Sequence, residues 1–334
     1  MNSVKAVTCG VLFGFVCNVI LCPFIIPLLR KLKFGQPVRS DGPQTHLVKQ
    51  GTPTMGGVMI VLATLIATLP YIFMGNKNAI AVILITLGYA IVGFIDDYLK
   101  VVKKNTDGLS PWQKIIFQVI VTVAFAVYIL KFTDLGTGVM IPFIKGEVKL
   151  GILYIPFLFF VMVGTVNSVN LTDGLDGLAS SITACVSGFF IGASLFLGKS
   201  VISGPGSLAP VCGTLLGSLL GFLIFNSHPA KVFMGDTGSL ALGGFVASTA
   251  ILLKMPVFLV IVGLVYVCES LSVIIQTTYF KYTKKKYGEG RRVFKMAPIH
   301  HHFEKSGMKE VKVVALFTIV TAVLCLIGIL SINI

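Results

Sequence analysis

Asn167, Asn170, Asp173 and Asp176 recur at every third position in the stretch NSVNLTDGLDGLASS, residues 167–181. Any helical turn would bring such residues near one face. Gly174 and Gly177 loosen the backbone between the acids. Amides and carboxylates at this density suit recognition of a polar head group or a metal. The plainer alternative is a solvated turn whose side chains cap the helix that follows.

Other acids stand where an isolated charge is costly. Asp96 and Asp97 end an unbroken apolar run in GFIDDYLK, residues 93–100. An ionised acid costs roughly 2.5–3.5 kcal/mol at the middle of a bilayer on the insertion scale, and less at the rim. Two together repel, and a divalent cation between them removes the repulsion. A helix end meeting water is the alternative, although the macrodipole disfavours acids at a helix C-terminus. Asp236 lies in NSHPAKVFMGDTGSLALGG, residues 226–244, just before another apolar run. A carboxylate at a helix N-terminus is favourable for local reasons alone. As a third acid on the same face, it becomes a partner for the Asp pair. Phe233 in this loop could stack on a flat ring, or could simply pack.

Cations and imidazoles complete the set. Lys49 precedes GTPTMGG, which holds Thr54, and could hold a phosphate as a compact cation. The positive-inside rule explains a juxtamembrane lysine equally well. The Gly-Lys-Ser/Thr order of a P-loop is absent. Lys114, in SPWQK, could screen a diphosphate or snorkel to the surface. His300, His301 and His302 form one run in PIHHHFE and cannot all point one way on a helix. They fit no zinc spacing. The run reads either as a polar turn at an anionic membrane surface or as one or two phosphate contacts with the rest holding the loop.

These residues need a membrane frame. The chain has 334 residues, 55% of them hydrophobic and 12% charged, with a mean hydropathy of +0.92. Soluble domains carry about 25% charged residues, so the chain reads as an all-α polytopic integral membrane protein. The net charge of +14 resides in short loops between apolar runs, which argues against a nucleic-acid partner and for attraction to membrane lipid. The cysteines, Cys9, Cys17, Cys22, Cys185, Cys212, Cys268 and Cys325, sit in apolar runs and form no CxxC pair. About 20 apolar residues cross a bilayer. That rule gives ten transmembrane helices in a single domain, 1–334, near 6–29, 54–74, 79–99, 111–130, 152–169, 178–197, 207–225, 239–253, 256–280 and 311–332. The boundary between the eighth and ninth is the weakest. The first run is too long for a signal-peptide core and reads as a span.

With both termini outside, only Lys5, Lys77, Lys131, Lys145, Lys149, Lys199 and Lys254 of the 27 basic residues fall on the outer side. The cytoplasmic segments are then about 30–53, 100–110, 170–177, 226–238 and 281–310. Nearly all the acids join the basic residues there. Asp134 and Glu147 are outside, and Glu269 lies within a span. The active site is therefore expected on the cytoplasmic face.

GTPTMGG, GFIDDY, NLTDGLDGLA, FMGDTGSLALG and APIHHHFE together resemble the bacterial phospho-N-acetylmuramoyl-pentapeptide transferase family. That family belongs to the polyprenyl-phosphate N-acetylhexosamine-1-phosphate transferases. The resemblance runs from about Arg39 to Glu310. It implies transfer of phospho-MurNAc-pentapeptide from UDP-MurNAc-pentapeptide to undecaprenyl phosphate, giving lipid I and UMP. It also implies Mg2+, a homodimer in the bacterial cytoplasmic membrane, and uridine-type nucleosides as inhibitors. By the same resemblance, Asp236 is the main metal ligand, with Asp96 and Asp97 beside the metal and the lipid phosphate. Asp96 is the candidate base, although a phosphate already mostly ionised at neutral pH needs little help from one. Asn170, Asp173, Asp176 and Phe233 are the expected uridine side, and Asn167 and Thr54 are further expected substrate contacts. Lys49, Lys114, His300, His301 and His302 are the expected contacts to the diphosphate or its leaving group, with His300 counted among the catalytic residues beside Asp96, Asp97 and Asp236. Two alternatives remain at this level: a related GlcNAc-1-phosphate transferase, which would differ in the His segment, and an ion-coupled transporter. Glu269 is the acid that fits a transporter, while no inverted repeat is visible.

Overall fold

The computed structural model describes residues 3–32, 51–102, 108–197 and 207–332. Lys49 lies outside them. The apolar runs form α1 (Ser3–Lys31), α2 (Gly57–Phe73), α3 (Lys77–Val102), α4 (Pro111–Phe132), α5 (Tyr154–Thr172) and α6 (Leu178–Leu197). They continue with α7 (Ala209–Asn226), α8 (Gly235–Leu252), α9 (Leu259–Val262), α10 (Leu264–Tyr287), the short α11 (Ile299–Lys305) and α12 (Glu310–Leu330). Among the described residues, seven helices are long and apolar enough to cross a membrane, or eight if the bent α9–α10 pair is one span. The 17-residue α2 is shorter, and α8 is the buried centre of the bundle.

Composition explains that layering. Every residue of α8 from Thr237 to Leu252 is buried, and many of them are Gly, Ala, Ser or Thr. Small residues let helix backbones approach closely in a membrane protein. The same device joins α1 to α7: a Cβ on Gly14 would strike the backbone of Thr214, and one on Gly217 that of Val11. The outer faces of α1, α4 and α12 carry large exposed side chains such as Phe24, Ile120 and Leu326.

Two features depart from the sequence reading. The expected span 256–280 is not one straight helix, because a 3-10 turn and α9 meet α10 at Gly263 with a bend of 83°. The chain is also not wholly helical. β1 (Gly138–Met140) pairs antiparallel with β2 (Glu147–Lys149). This hairpin is anchored at its end of the bundle by Met140 N–H donating to Lys254 O (2.7 Å) and Phe143 N–H donating to Ser331 O (2.9 Å). At the opposite end lie the C-termini of α3 and α5 and the N-termini of α4, α6, α8 and α12. The polar motifs sit there.

Candidate functional site

The site is built on a close approach of α3 to α8. A Cβ at Gly93 would lie 2.7 Å from Thr237 Cα and closer still to the Asp236 carbonyl, so only glycine permits this contact. Gly57 at the start of α2 likewise faces the backbone of Gly238. The segment before α2 is stitched to the turn before α8: Gly56 N–H donates to Phe233 O and Phe233 N–H to Pro53 O, both at 2.8 Å. The N-terminus of α8 is thereby clamped between α2 and α3.

Asp97 completes the clamp. Its carboxylate accepts from Asp236 N–H (3.1 Å), Thr237 N–H (2.8 Å) and the Thr237 hydroxyl (2.7 Å). The first-turn amides of a helix have no intrahelical partner and carry partial positive charge, so an anion belongs there.

Asp96 faces the other way. Its Oδ1 accepts from Leu109 N–H at 2.8 Å. Its Oδ2 pairs with Lys100 Nζ at 2.6 Å and Lys114 Nζ at 3.1 Å. The same two lysines reach Asp236 Oδ2, at 2.8 and 2.9 Å. Lys114 is placed for this by its own helix start: Ser110 and Gln113 form a capping box with Pro111 in the first turn. Lys114 therefore turns inward and does not snorkel. Asn170 Nδ2 donates to Asp236 Oδ1 (2.7 Å) and to Ser239 Oγ (2.8 Å), tying α5 to the cluster. One oxygen from each of Asp96, Asp97 and Asp236 lies within 4.8 Å of the others. Three hard carboxylate oxygens fit a hard divalent cation.

Asp173 follows α5 and accepts from Gly235 N–H. Desolvation pushes its carboxyl well above the usual carboxylate range, and Asp236 and Asp97 push it further. Asp176 turns elsewhere. Its Oδ2 accepts from Ala230 N–H and meets His228 Nδ1, each at 3.1 Å. Its own N–H donates to Glu310 Oε1 at 2.7 Å. Asp176, His228 and Glu310 thus brace the loop between α7 and α8 against α12. Asn167 is one turn deeper and exchanges amide hydrogen bonds with Gln118 of α4 (2.7 and 3.3 Å). Thr54 is buried beside Gly235, and Phe233 is half-buried in the same turn.

The three histidines diverge. His300 is buried, with Nδ1 3.0 Å from Glu269 Oε2. His301 Nδ1 lies 2.8 Å from Glu304 Oε2. His302 accepts from Lys295 N–H at 3.2 Å and meets the Phe294 ring edge-on, which holds the loop before α11.

Several site residues were not singled out by sequence reasoning. Lys100 stands four residues after Asp96, a helical spacing that could have revealed it. Thr237 and Ser239 were visible only as parts of a glycine-rich turn. Glu269 and His300 were each noted, but nothing local pairs them, and Gly93 has no local signal at all.

The profile of Glycosyl transferase family 4 matches residues 79–254. The phospho-N-acetylmuramoyl-pentapeptide-transferase signature 1 matches residues 49–61. The chain is 49% identical to the phospho-N-acetylmuramoyl-pentapeptide-transferase of Clostridium perfringens (strain 13 / Type A), covering 96% of this chain and 97% of that one. It is 47% identical to the proteins of the same name from Clostridium botulinum (strain Alaska E43 / Type E3) and Clostridium kluyveri (strain NBRC 12016). Those matches cover 96% of this chain, and 95% and 98% of the two relatives. With relatives this similar over nearly their whole length, the chain belongs to the phospho-N-acetylmuramoyl-pentapeptide transferase family, within glycosyl transferase family 4.

Proposed function

We propose that this protein transfers phospho-MurNAc-pentapeptide from UDP-MurNAc-pentapeptide to undecaprenyl phosphate, releasing UMP and forming lipid I. The observation that carries the reading is the convergence of Asp96, Asp97 and Asp236, interleaved with Lys100 and Lys114, at one end of the bundle. A phosphate oxygen of the lipid attacks the sugar-linked phosphorus. A new P–O bond forms there, and the bond from that phosphorus to the UMP oxygen breaks. Both partners are anions, so the main task of the site is charge compensation and alignment. Asp236 would hold Mg2+ with Asp96 and Asp97 beside it, and the ion would offset that charge and stabilise the departing phosphate.

The residues of the chain do the rest. Lys100 and Lys114 supply ammonium groups at the rim of the acid cluster, where they can turn toward phosphate oxygens. Asp97 holds the α8 N-terminus in register and so fixes the Asp236 carboxylate. Asn170 orients the other Asp236 oxygen. Both oxygens of Asp96 are already engaged, by an amide and two ammonium groups, which favours a role in charge positioning over one in proton abstraction. Asp173 and Phe233 border the cluster and are assigned to the uridine side; His300 and Lys49 are assigned to the diphosphate.

The whole chain is one domain of ten spans, with α2, α8 and the bent α9–α10 unit included. The clustering of basic loops supports a cytoplasmic site with both termini outside, in the bacterial cytoplasmic membrane. A homodimer and inhibition by uridine-type nucleosides follow from the resemblance alone. The test is UMP release by purified protein. It should require UDP-MurNAc-pentapeptide, polyprenyl phosphate and Mg2+ together. Substrate flux into sealed vesicles without UMP release would overturn the reading in favour of transport.

A further inference from the structure

Glu269, an acid buried within α10, has a partner 31 residues further along the chain. Glu269 and His300 are both 0% exposed. His300 Nδ1 lies 3.0 Å from Glu269 Oε2, and the His300 backbone N–H points at the same oxygen from 3.5 Å. An ionised carboxylate can only accept hydrogen bonds. The contact therefore calls for a proton on Nδ1, and the partner of one ring nitrogen sets the state of the other.

That other nitrogen is the informative one. Among the described residues, His300 Nε2 is buried and has no hydrogen-bond partner, and neither has Glu269 Oε1. Buried polar atoms are nearly always paired, so an orphan packed on the loop that carries Asp173 calls for an explanation, and a ligand of the neighbouring site supplies one. A Cβ on Gly174 would collide with Nε2 and lie 2.6 Å from Cε1. The ring edge thus rests on the loop that carries Asp173, and glycine makes the room. Around the ring stand Glu269 from α10, His301 with its centroid at 4.1 Å, Glu304 bonded to His301, and Asp173 beside Gly174. Glu269 is the carboxylate that meets Nδ1 directly.

We propose that Glu269 is a positioning residue that fixes the His300 proton on Nδ1 and aims Nε2 at the diphosphate of the nucleotide substrate. The inference rests on the transferase reading. With the carboxylate at Nδ1 and a phosphate oxygen at Nε2, the ring lies between two anions, and one proton taken up from solvent with the nucleotide makes it a donor to both. The buried acid thereby serves nucleotide recognition, with no part in ion passage.

The test uses the full-length protein, with UMP release read at varied concentrations of each substrate. Glu269→Gln keeps an acceptor for Nδ1 and removes the charge. It should lower kcat/KM for UDP-MurNAc-pentapeptide at least tenfold and leave KM for polyprenyl phosphate within twofold. In the His300→Gln background the same change should cost less than twofold more. Equal losses toward both substrates, or a full tenfold loss without His300, would reduce Glu269 to a structural role and overturn the proposal. If Glu269→Gln does not fold, the wild type labelled with [15N]histidine gives the answer, with the His300 signal assigned by comparison with His300→Gln. A free neutral imidazole in water prefers the Nε2–H form, so an Nδ1–H signal at high pH supports the pair and an Nε2–H signal overturns it. Wild-type protein that releases no UMP under any condition would instead sink the transferase reading itself.

Discussion

Gly93→Ala tests whether the approach of two helix backbones governs the chemistry. The new methyl would sit 2.7 Å from Thr237 Cα and nearer still to the Asp236 carbonyl, whereas ordinary contact begins near 3.4 Å. Both obstacles are backbone atoms of the α8 first turn, so no side chain can rotate aside. The turn is also held by Asp97 and by the Gly57–Gly238 contact. Relief requires α3 to back away from α8 by about 1 Å, and a misplacement of that size can cost on the order of 100-fold in rate. Overpacking of this kind costs about 1–3 kcal/mol in stability. A folded, detergent-stable Gly93→Ala protein is therefore expected to have kcat/KM lowered by about 100-fold in the UMP-release assay. Gly164→Ala on α5 is the control, because a Cβ there meets nothing within 4 Å. Wild-type kcat/KM for Gly93→Ala would show that the spacing of Asp96, Asp97 and Asp236 is not set by this contact, and the argument from geometry would fail.

Three further perturbations separate the roles. Asp96→Asn keeps shape and removes the charge between Lys100 and Lys114; turnover should fall below detection while nucleotide binding, measured by calorimetry, persists. Asn170→Ala removes the donor that orients Asp236, a charge-assisted bond worth about 1.5–3 kcal/mol, so Tm should fall and kcat/KM of the folded protein should drop roughly 10- to 100-fold. The third is a pH effect. The Asp173 carboxyl is raised in the folded protein above its unfolded value of about 3.9, so its ionisation is disfavoured by folding and stability is lost as pH rises from about 4 through the folded value. Asp173→Asn should match the wild-type Tm near pH 4 and exceed it by a growing margin toward pH 8; a margin that does not change with pH would refute the electrostatic cause.

The membrane frame was legible because length and hydropathy alone define an apolar crossing, and among the described residues seven or eight of the helices are long and apolar enough to make one. The 83° bend at Gly263 was not, since a glycine within a long apolar run is compatible with a straight helix. The hairpin Gly138–Lys149 escaped because three-residue strands leave no pattern to count. Within the site, the gathering of acids at one end was readable from charge placement. The division of labour between Asp96 and Asp97 was not. Successive residues on a helix point about 100° apart, so Asp96 meets the lysines while Asp97 meets α8, and only the neighbours tell them apart. Asp176 shows the converse, because a spacing of three suggested one face, yet the chain leaves the helix at Thr172 and sends Asp176 to a different loop.

The attachment of Asp97 to the first turn of α8 bears on how the protein could move during turnover. A carboxylate on one helix that takes up the leading amides of another makes α3 and α8 a single body, with the acid cluster mounted on it. Such a body does not flex to admit a bulky glycopeptide. Adjustment to cargo is left to elements outside that body, such as α10, which meets α9 at the 83° bend at Gly263, and α11. Peptide variants should therefore alter hydrogen exchange along residues 263–305 and leave the amides of Asp236 and Thr237 protected.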